Sequence, residues 1–271
     1  MKRIVTMQDI SCIGKCSLTV ALPILSSMGI ETAILPTAVL STHTMFKNVS
    51  FTDLTDSIPE IIQKWKKEGF TFEAIYTGYL ANKKQIDIAK DLIEIFPEHK
   101  LVIIDPCMAD NGKLYTGFNS EFVEEMKAYC SYGDMITPNI TEACLLTGTT
   151  YSTSYNESFI QDLLKKLIQL GCKKAVITGV NFEEGKNGAY AYDSLDNTYH
   201  SYFNEAEKEN FHGTGDIWAS VLTGSLVNGK SLDDSIQCAC DFVKESIHLT
   251  LQEENHNTYG VNFEEVLNKE H

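Results

Sequence analysis

The chain has 271 residues, 43% of them hydrophobic and 22% charged, which is enough for one large α/β domain with a substantial core. A formal net charge of −15 and a pI near 4.8 exclude nucleic acid and an anionic membrane as expected partners. Arg3 is the only arginine, so any bound phosphate would be met by lysine, metal or backbone N–H.

The eight cysteines form no Cys-x-x-Cys pair and no zinc-like spacing with histidine. They read as reduced, mostly buried thiols of a cytoplasmic protein. Lys2 and Arg3 precede an apolar run too short for a signal peptide. The uncharged stretch Cys16–Ile30 is too short to span a bilayer and contains Pro23 and Gly29.

In chain order, Ile4–Met7 predicts a first strand and Ser17–Met28 a helix stopped by Gly29. Thr32–Leu35 is a second strand, and Ile58–Lys67 a helix with Pro59 near its start. Strands follow at Ala74–Thr77, Leu101–Ile104, Met135-Ile136 and Ala175–Thr178, with helices at Lys84–Ile95, Glu121–Tyr129 and Phe159–Leu170. Ala189–Tyr192 and Thr198–Phe203 alternate like a hairpin around Asp196-Asn197. The last third reads as helices at Asp216–Val227 and Leu232–Leu251. Near-continuous apolar strands separated by helices predict a mostly parallel sheet covered on both faces, in one domain over 1–271.

In such a sheet, ligands sit beyond the carboxyl ends of the strands. Four segments fall there: Ser41–Thr44, Gly78–Leu80, Asp105–Gly112 and Thr137–Glu142. Asp105, Asp110 and Glu142 are candidates to share a hydrated Mg²⁺, which takes few carboxylates and keeps waters. Taken singly, turns explain Asp105 before a proline and Asp110-Asn111-Gly112, and a helix cap explains Thr141 with the acidic residue after it.

Gly213-Thr214-Gly215-Asp216 opens an apolar helix. Two glycines let the backbone approach a ligand, and a helix N-terminus suits a phosphate. A carboxylate there opposes a bound anion unless it meets a hydroxyl about to attack phosphorus, which makes Asp216 the candidate catalytic residue. The helix terminus is expected to lower its pKa. Gly14-Lys15-Cys16 lacks the rest of a Walker loop, and Trp218 stands where a Rossmann fingerprint needs its third glycine.

Together these motifs resemble the pyridoxal/pyridoxamine kinase branch of the ribokinase-like superfamily, over about residues 3 to 250. The resemblance implies an α/β ribokinase-like fold and ATP-dependent phosphorylation of the 5′-hydroxymethyl group of a vitamin B6 vitamer. It implies that Asp216 takes the hydroxyl proton and that the N–H groups of Gly213, Thr214 and Gly215 form the anion hole. Asp110 and Glu142 would organise Mg²⁺ through waters; Asn139, Thr178, Gly179 and Tyr115 would contact the nucleotide; and Asp9, Ser11, His43, Thr44 and Tyr79 would line the vitamer pocket. A homodimer is expected, and a monovalent cation is a further candidate cofactor. Asp9 stands where many such kinases carry serine, a change that favours a protonated ring or an amine; Cys107 and Ala109 replace the usual valine and glycine.

Two rival readings follow from the same residues. A hydroxymethylpyrimidine kinase shares the fold and the primary alcohol, but usually carries a different anion-hole sequence. A noncatalytic B6-binding protein would keep the pocket, yet has no need for Asp216, Glu142 and Asp110 together.

Overall fold

Successive residues of the strands point to opposite faces of the sheet, and both faces are apolar. The computed structural model describes residues 1–209 and 211–269. Its first half contains β1 (Arg3–Ile13), α1 (Leu18–Ser27), β2 (Glu31–Thr42), β3 (Phe51–Asp53), α2 (Ile58–Lys67), β4 (Ala74–Thr77), α3 (Lys83–Ile95) and β5 (Leu101–Ile104). Next come β6 (Ala109–Asp110), β7 (Lys113–Leu114), α4 (Ser120–Cys130), β8 (Met135–Ile136), α5 (Ile140–Thr147) and α6 (Glu157–Ile168). The remainder is β9 (Lys174–Val180), β10 (Lys186–Asp193), β11 (Thr198–Glu205), α7 (Thr214–Val227), α8 (Leu232–Leu251) and α9 (Phe263–Lys269).

The main sheet runs β11-β10-β9-β8-β5-β4-β1-β2-β3. Its interior pairs are parallel, while β3, β10 and β11 join antiparallel at the two edges. Val5, Met7, Ile75, Val102, Ile104 and Ile177 face a core closed by α2 to α6. Ile4, Ala74, Tyr76, Ile103, Met135 and Val176 face a second core closed by α1, α7, α8 and α9. The chain thus has the expected mostly parallel sheet with helices on both faces.

The helix expectations agree to within about two residues, and α2 and α8 agree at both ends. The strands β1 and β2 run well past their apolar stretches, because parallel pairing continues from Ile10↔Val39 to Ile13↔Thr42. Polar Gln8, Asp9 and Ser11 masked that extension in the sequence. The strand β3, the β6–β7 hairpin and α9 were not anticipated, and of α5 only a cap was. The hairpin turns on Asn111 (φ 50°) and Gly112 (φ 76°), the left-handed pair that a two-residue hairpin needs. Among the described residues, no helix is long and apolar enough to cross a membrane.

Candidate active site

The carboxyl ends of the central strands and the start of α7 enclose a cavity of about 510 Å³. Asp216, Gly213, Thr214 and Gly215 line it, together with Asp110, Glu142, Asn139, Tyr115, Thr178 and Gly179. The proposed transfer, metal and nucleotide residues, far apart in sequence, therefore share one cavity. Asp9, Ser11, His43, Thr44 and Tyr79 are not among its lining residues.

Gly213 caps α7 at φ 82°, ψ −4°, in the left-handed region. A Cβ there would lie 1.9 Å from the Lys15 carbonyl oxygen, so only glycine fits between the two loops. The first N–H groups of α7 have no acceptor within the helix and open toward the cavity. Thr214 Oγ1 donates to the Phe211 carbonyl at 3.0 Å, which fixes the loop before the helix.

Asp216 Oδ2 accepts a 3.0 Å hydrogen bond from the Ser17 backbone N–H. The pKa of Asp216 is raised to about 6, not lowered as the helix terminus alone would dictate. Burial is the larger cause and disfavours the charged form, the Ser17 N–H opposes it, and the nearby Asp9 carboxylate adds to the rise. A carboxylate of this kind is a better base than one at its ordinary value.

Sequence reasoning missed Ser17. It is a non-glycine residue at φ 50°, ψ −134°, a conformation that L-residues rarely adopt and that tends to persist where function holds it. Its carbonyl accepts from the N–H groups of Val20 and Ala21, starting α1, while its own N–H reaches Asp216 at the start of α7. One residue thus ties two helix N-termini together.

The expected vitamer residues gather beside this junction. Asp9 is 5% exposed, and Ser11 Oγ donates to its Oδ2 at 3.2 Å. Its carboxylate acts electrostatically on Asp216, Tyr79, His43 and Cys107. Burial pushes the Tyr79 hydroxyl up to about 12, and its ring packs 5.5 Å from Phe118. His43 has both ring nitrogens engaged: Nδ1 accepts from Met45 N at 3.3 Å, and Nε2 lies 3.1 Å from the Tyr259 carbonyl. That pattern requires the neutral Nε2–H tautomer, and burial lowers the ring's pKa in the same sense. His43 therefore offers a ring surface rather than a free hydrogen-bonding nitrogen. Thr44 is exposed, and Met45 reaches the cavity in its place. His212, adjacent to the anion-hole loop, packs against His43 with centroids 4.5 Å apart and rings tilted by 35°, and has its pKa lowered to about 4 by burial.

On the metal side, Glu142 is 2% exposed. Its Oε1 accepts from Met108 N and Ala109 N, and its Oε2 accepts from Asn139 N. Burial raises its pKa while those three N–H groups pull it down. Asn139 caps α5, accepting from Glu142 N at 2.9 Å and donating to the Ala109 carbonyl at 2.8 Å. The expected cap, Thr141, instead accepts from Gly112 N at 2.9 Å and pins the β6–β7 hairpin. Asp110 is exposed on that hairpin, and its two carboxylate oxygens accept from Asn111. Asp105 is 8% exposed, and its pKa is raised well above the carboxylate range by burial and then by Glu142 and Asp216. Among the described residues, no three or more His, Cys, Asp or Glu groups form a direct metal cage. Lys244 is the one lysine among the cavity-lining residues, on an α8 face that also presents Cys240, Val243 and Ile247. Only that four-residue periodicity in the sequence hinted at it.

Residues 25–261 match the phosphomethylpyrimidine kinase family. The chain belongs to this family. A Bacteroides thetaiotaomicron protein assigned to the phosphomethylpyrimidine kinases, crystallised with pyridoxal, is 41% identical with a TM-score of 0.94, over 99% of this chain and 95% of that one. The pyridoxal kinase of Lactobacillus plantarum is 27% identical with a TM-score of 0.91, over 99% and 96%. A hydroxymethylpyrimidine/phosphomethylpyrimidine kinase of Aquifex aeolicus is 27% identical over 198 residues, which are 70% of this chain and 73% of that one. Kinase chemistry and the pyridoxal kinase branch of the ribokinase-like superfamily are thus established for the chain, while the acceptor alcohol divides its relatives.

Proposed function

We propose that this chain is a single-domain, ATP- and magnesium-dependent kinase that phosphorylates the 5′-hydroxymethyl group of a vitamin B6 vitamer. The observation that carries this reading is Asp216. A carboxylate with a pKa near 6 stands at the open N-terminus of α7, held by Ser17 N–H, on the wall of the cavity. Asp216 accepts the proton of the hydroxymethyl group as its oxygen bonds the γ-phosphorus of ATP and the bond from that phosphorus to the departing ADP breaks. The N–H groups of Gly213, Thr214 and Gly215 hold the transferring phosphoryl oxygens. Asn139, Thr178, Gly179 and Tyr115 are assigned to the nucleotide; for Asn139 the remaining amide proton is the contact, since its Oδ1 caps α5 and its other amide proton goes to the Ala109 carbonyl.

The donor set suits magnesium held through waters. Asp105, Asp110, Glu142 and Asp216 all line a cavity with a single lysine, so a nucleotide polyphosphate needs a cation to enter it. Asp110 and Glu142 would orient that hydrated ion, whose contribution is to neutralise phosphate charge. Engagement of Glu142 by three N–H groups favours an outer position for it. A monovalent cation stays part of the proposal.

The pyridoxal-bound relative supports a B6 vitamer. The family match and the Aquifex relative favour a second reading, phosphorylation of hydroxymethylpyrimidine on the same site. A competition assay with Mg-ATP, pyridoxal, pyridoxamine, pyridoxine and hydroxymethylpyrimidine, read by mass spectrometry, separates them. A phosphorylated B6 vitamer as main product is expected; phosphorylated pyrimidine alone would replace the first reading with the second, and no product would favour a noncatalytic binding protein. A cytoplasmic homodimer completes the proposal; exposed apolar Ile13 and Phe51, on β1 and β3, support the dimer.

A further inference from the structure

Asp9 is a buried carboxylate that the transfer chemistry leaves unused. It lies on β1 and is 5% exposed. Among the described residues no lysine or arginine forms an ion pair with it. Its basic neighbour, His43, is held neutral by Met45 N and the Tyr259 carbonyl and supplies no counter-charge. The hydroxyls of Ser17 and Ser11 are neutral donors, and burial outweighs them and raises the pKa of Asp9. A buried carboxylate without a cation is costly, and a cationic or strongly donating ligand group offsets that cost. Ser17 links this carboxylate to the proposed base: its backbone N–H donates to Asp216 at 3.0 Å and its hydroxyl hydrogen-bonds Asp9.

We propose that Asp9 accepts N–H from an amine on the ring carbon next to the one bearing the reacting hydroxymethyl group, so that the enzyme selects amine-bearing substrates. Neighbouring substituents on a six-membered ring project side by side. A substrate whose hydroxyl meets Asp216 therefore turns its adjacent substituent toward the adjacent carboxylate. Pyridoxamine carries an ammonium at that position, and hydroxymethylpyrimidine an amino group. Pyridoxal has an aldehyde there, which only accepts hydrogen bonds, and pyridoxine a neutral alcohol. The inference rests on the proposed phosphorylation of a hydroxymethyl-bearing ring, but it holds for either ring class.

The test compares kcat/KM for pyridoxamine and pyridoxine in the wild type and in Asp9→Asn, with hydroxymethylpyrimidine as a third substrate. Thermal melting and ATP binding of the variant check its fold. The wild type should prefer pyridoxamine over pyridoxine, and Asp9→Asn should lower that preference ratio by about tenfold to a hundredfold, the range of a charge-assisted hydrogen bond. A wild type that favours pyridoxine or pyridoxal overturns the inference without any variant, as does a ratio unmoved in a folded Asp9→Asn. If hydroxymethylpyrimidine alone is turned over and Asp9→Asn loses it, the amine selection stands and the B6 reading fails.

Discussion

The backbone N–H of Ser17 donates to Asp216 Oδ2 at 3.0 Å, joining the start of α1 to the start of α7 at the proposed point of phosphoryl transfer. The contact crosses 199 residues of sequence. It fixes one carboxylate oxygen, and the proposal assigns the other to the substrate hydroxyl. Asp216→Asn keeps the shape of the side chain but not its basicity. It should fold, bind ATP and lose about 10²–10⁴-fold in kcat. Steady-state kinetics at pH 7.5 decide this, and full turnover would remove Asp216 from its assigned role.

The raised pKa of Asp216 has two consequences of opposite value. Activity needs the ionised form, so kcat should climb through an acid limb near pH 6. For stability, the folded state binds this proton more tightly than the unfolded chain does. Folding stability contributed by the group is therefore highest below about pH 4 and is lost as pH rises to about 6. Asp216→Asn should accordingly be more stable than the wild type at pH 7 by on the order of 2 kcal/mol. Denaturant melts of both proteins at pH 4 and pH 7 test this, with the difference confined to the higher pH.

The two loop glycines should respond differently to alanine. At Gly213 the added Cβ meets the Lys15 carbonyl oxygen at 1.9 Å and the backbone is at φ 82°. Gly213→Ala should cost about 2 kcal/mol or more and disrupt transfer. At Gly215 no atom lies within 4 Å of the added Cβ, and the site faces the cavity. Gly215→Ala should change stability by less than about 0.5 kcal/mol yet lower kcat by about tenfold to a hundredfold through crowding of the anion hole. Equal melting temperatures for the two variants would contradict this account.

Glu142 is as much a structural residue as an electrostatic one. Removing its carboxylate in Glu142→Ala leaves the N–H groups of Met108, Ala109 and Asn139 without their acceptor. A loss of about 3 kcal/mol is expected by urea unfolding, with a smaller loss for Glu142→Gln, which retains an acceptor oxygen. In the surviving Gln variant, the magnesium concentration for half-maximal rate should rise. An unchanged magnesium requirement would separate Glu142 from the cation.

Sedimentation of the wild type should give a dimer. Phe51→Asp, on the exposed strand β3, should shift it toward monomer without changing the melting temperature by more than a few degrees. A monomeric wild type would remove the homodimer from the proposal.

The periodicity of apolar residues by itself determined the layered α/β architecture, because strands buried on both faces leave continuous apolar runs and helices leave a repeat near 3.6. Position after parallel strands singled out Asp110 and Glu142, and the glycines opening an apolar helix singled out Gly213–Asp216; all of them line one cavity. Tertiary structure decided what each of them does there. Burial, which sequence does not state, reversed the expected shift of Asp216. Glu142 and Asn139 proved to hold backbone as well as to face the cavity. Both nitrogens of His43 went to Met45 and Tyr259, the latter 216 residues away. Ser17, Lys15 and Gly213 interlock although nothing in their local sequence pairs them. Local pattern records which face of an element is apolar. Which hydrogen bonds, charges and close approaches form between distant loops is decided only when the sheet brings those loops together.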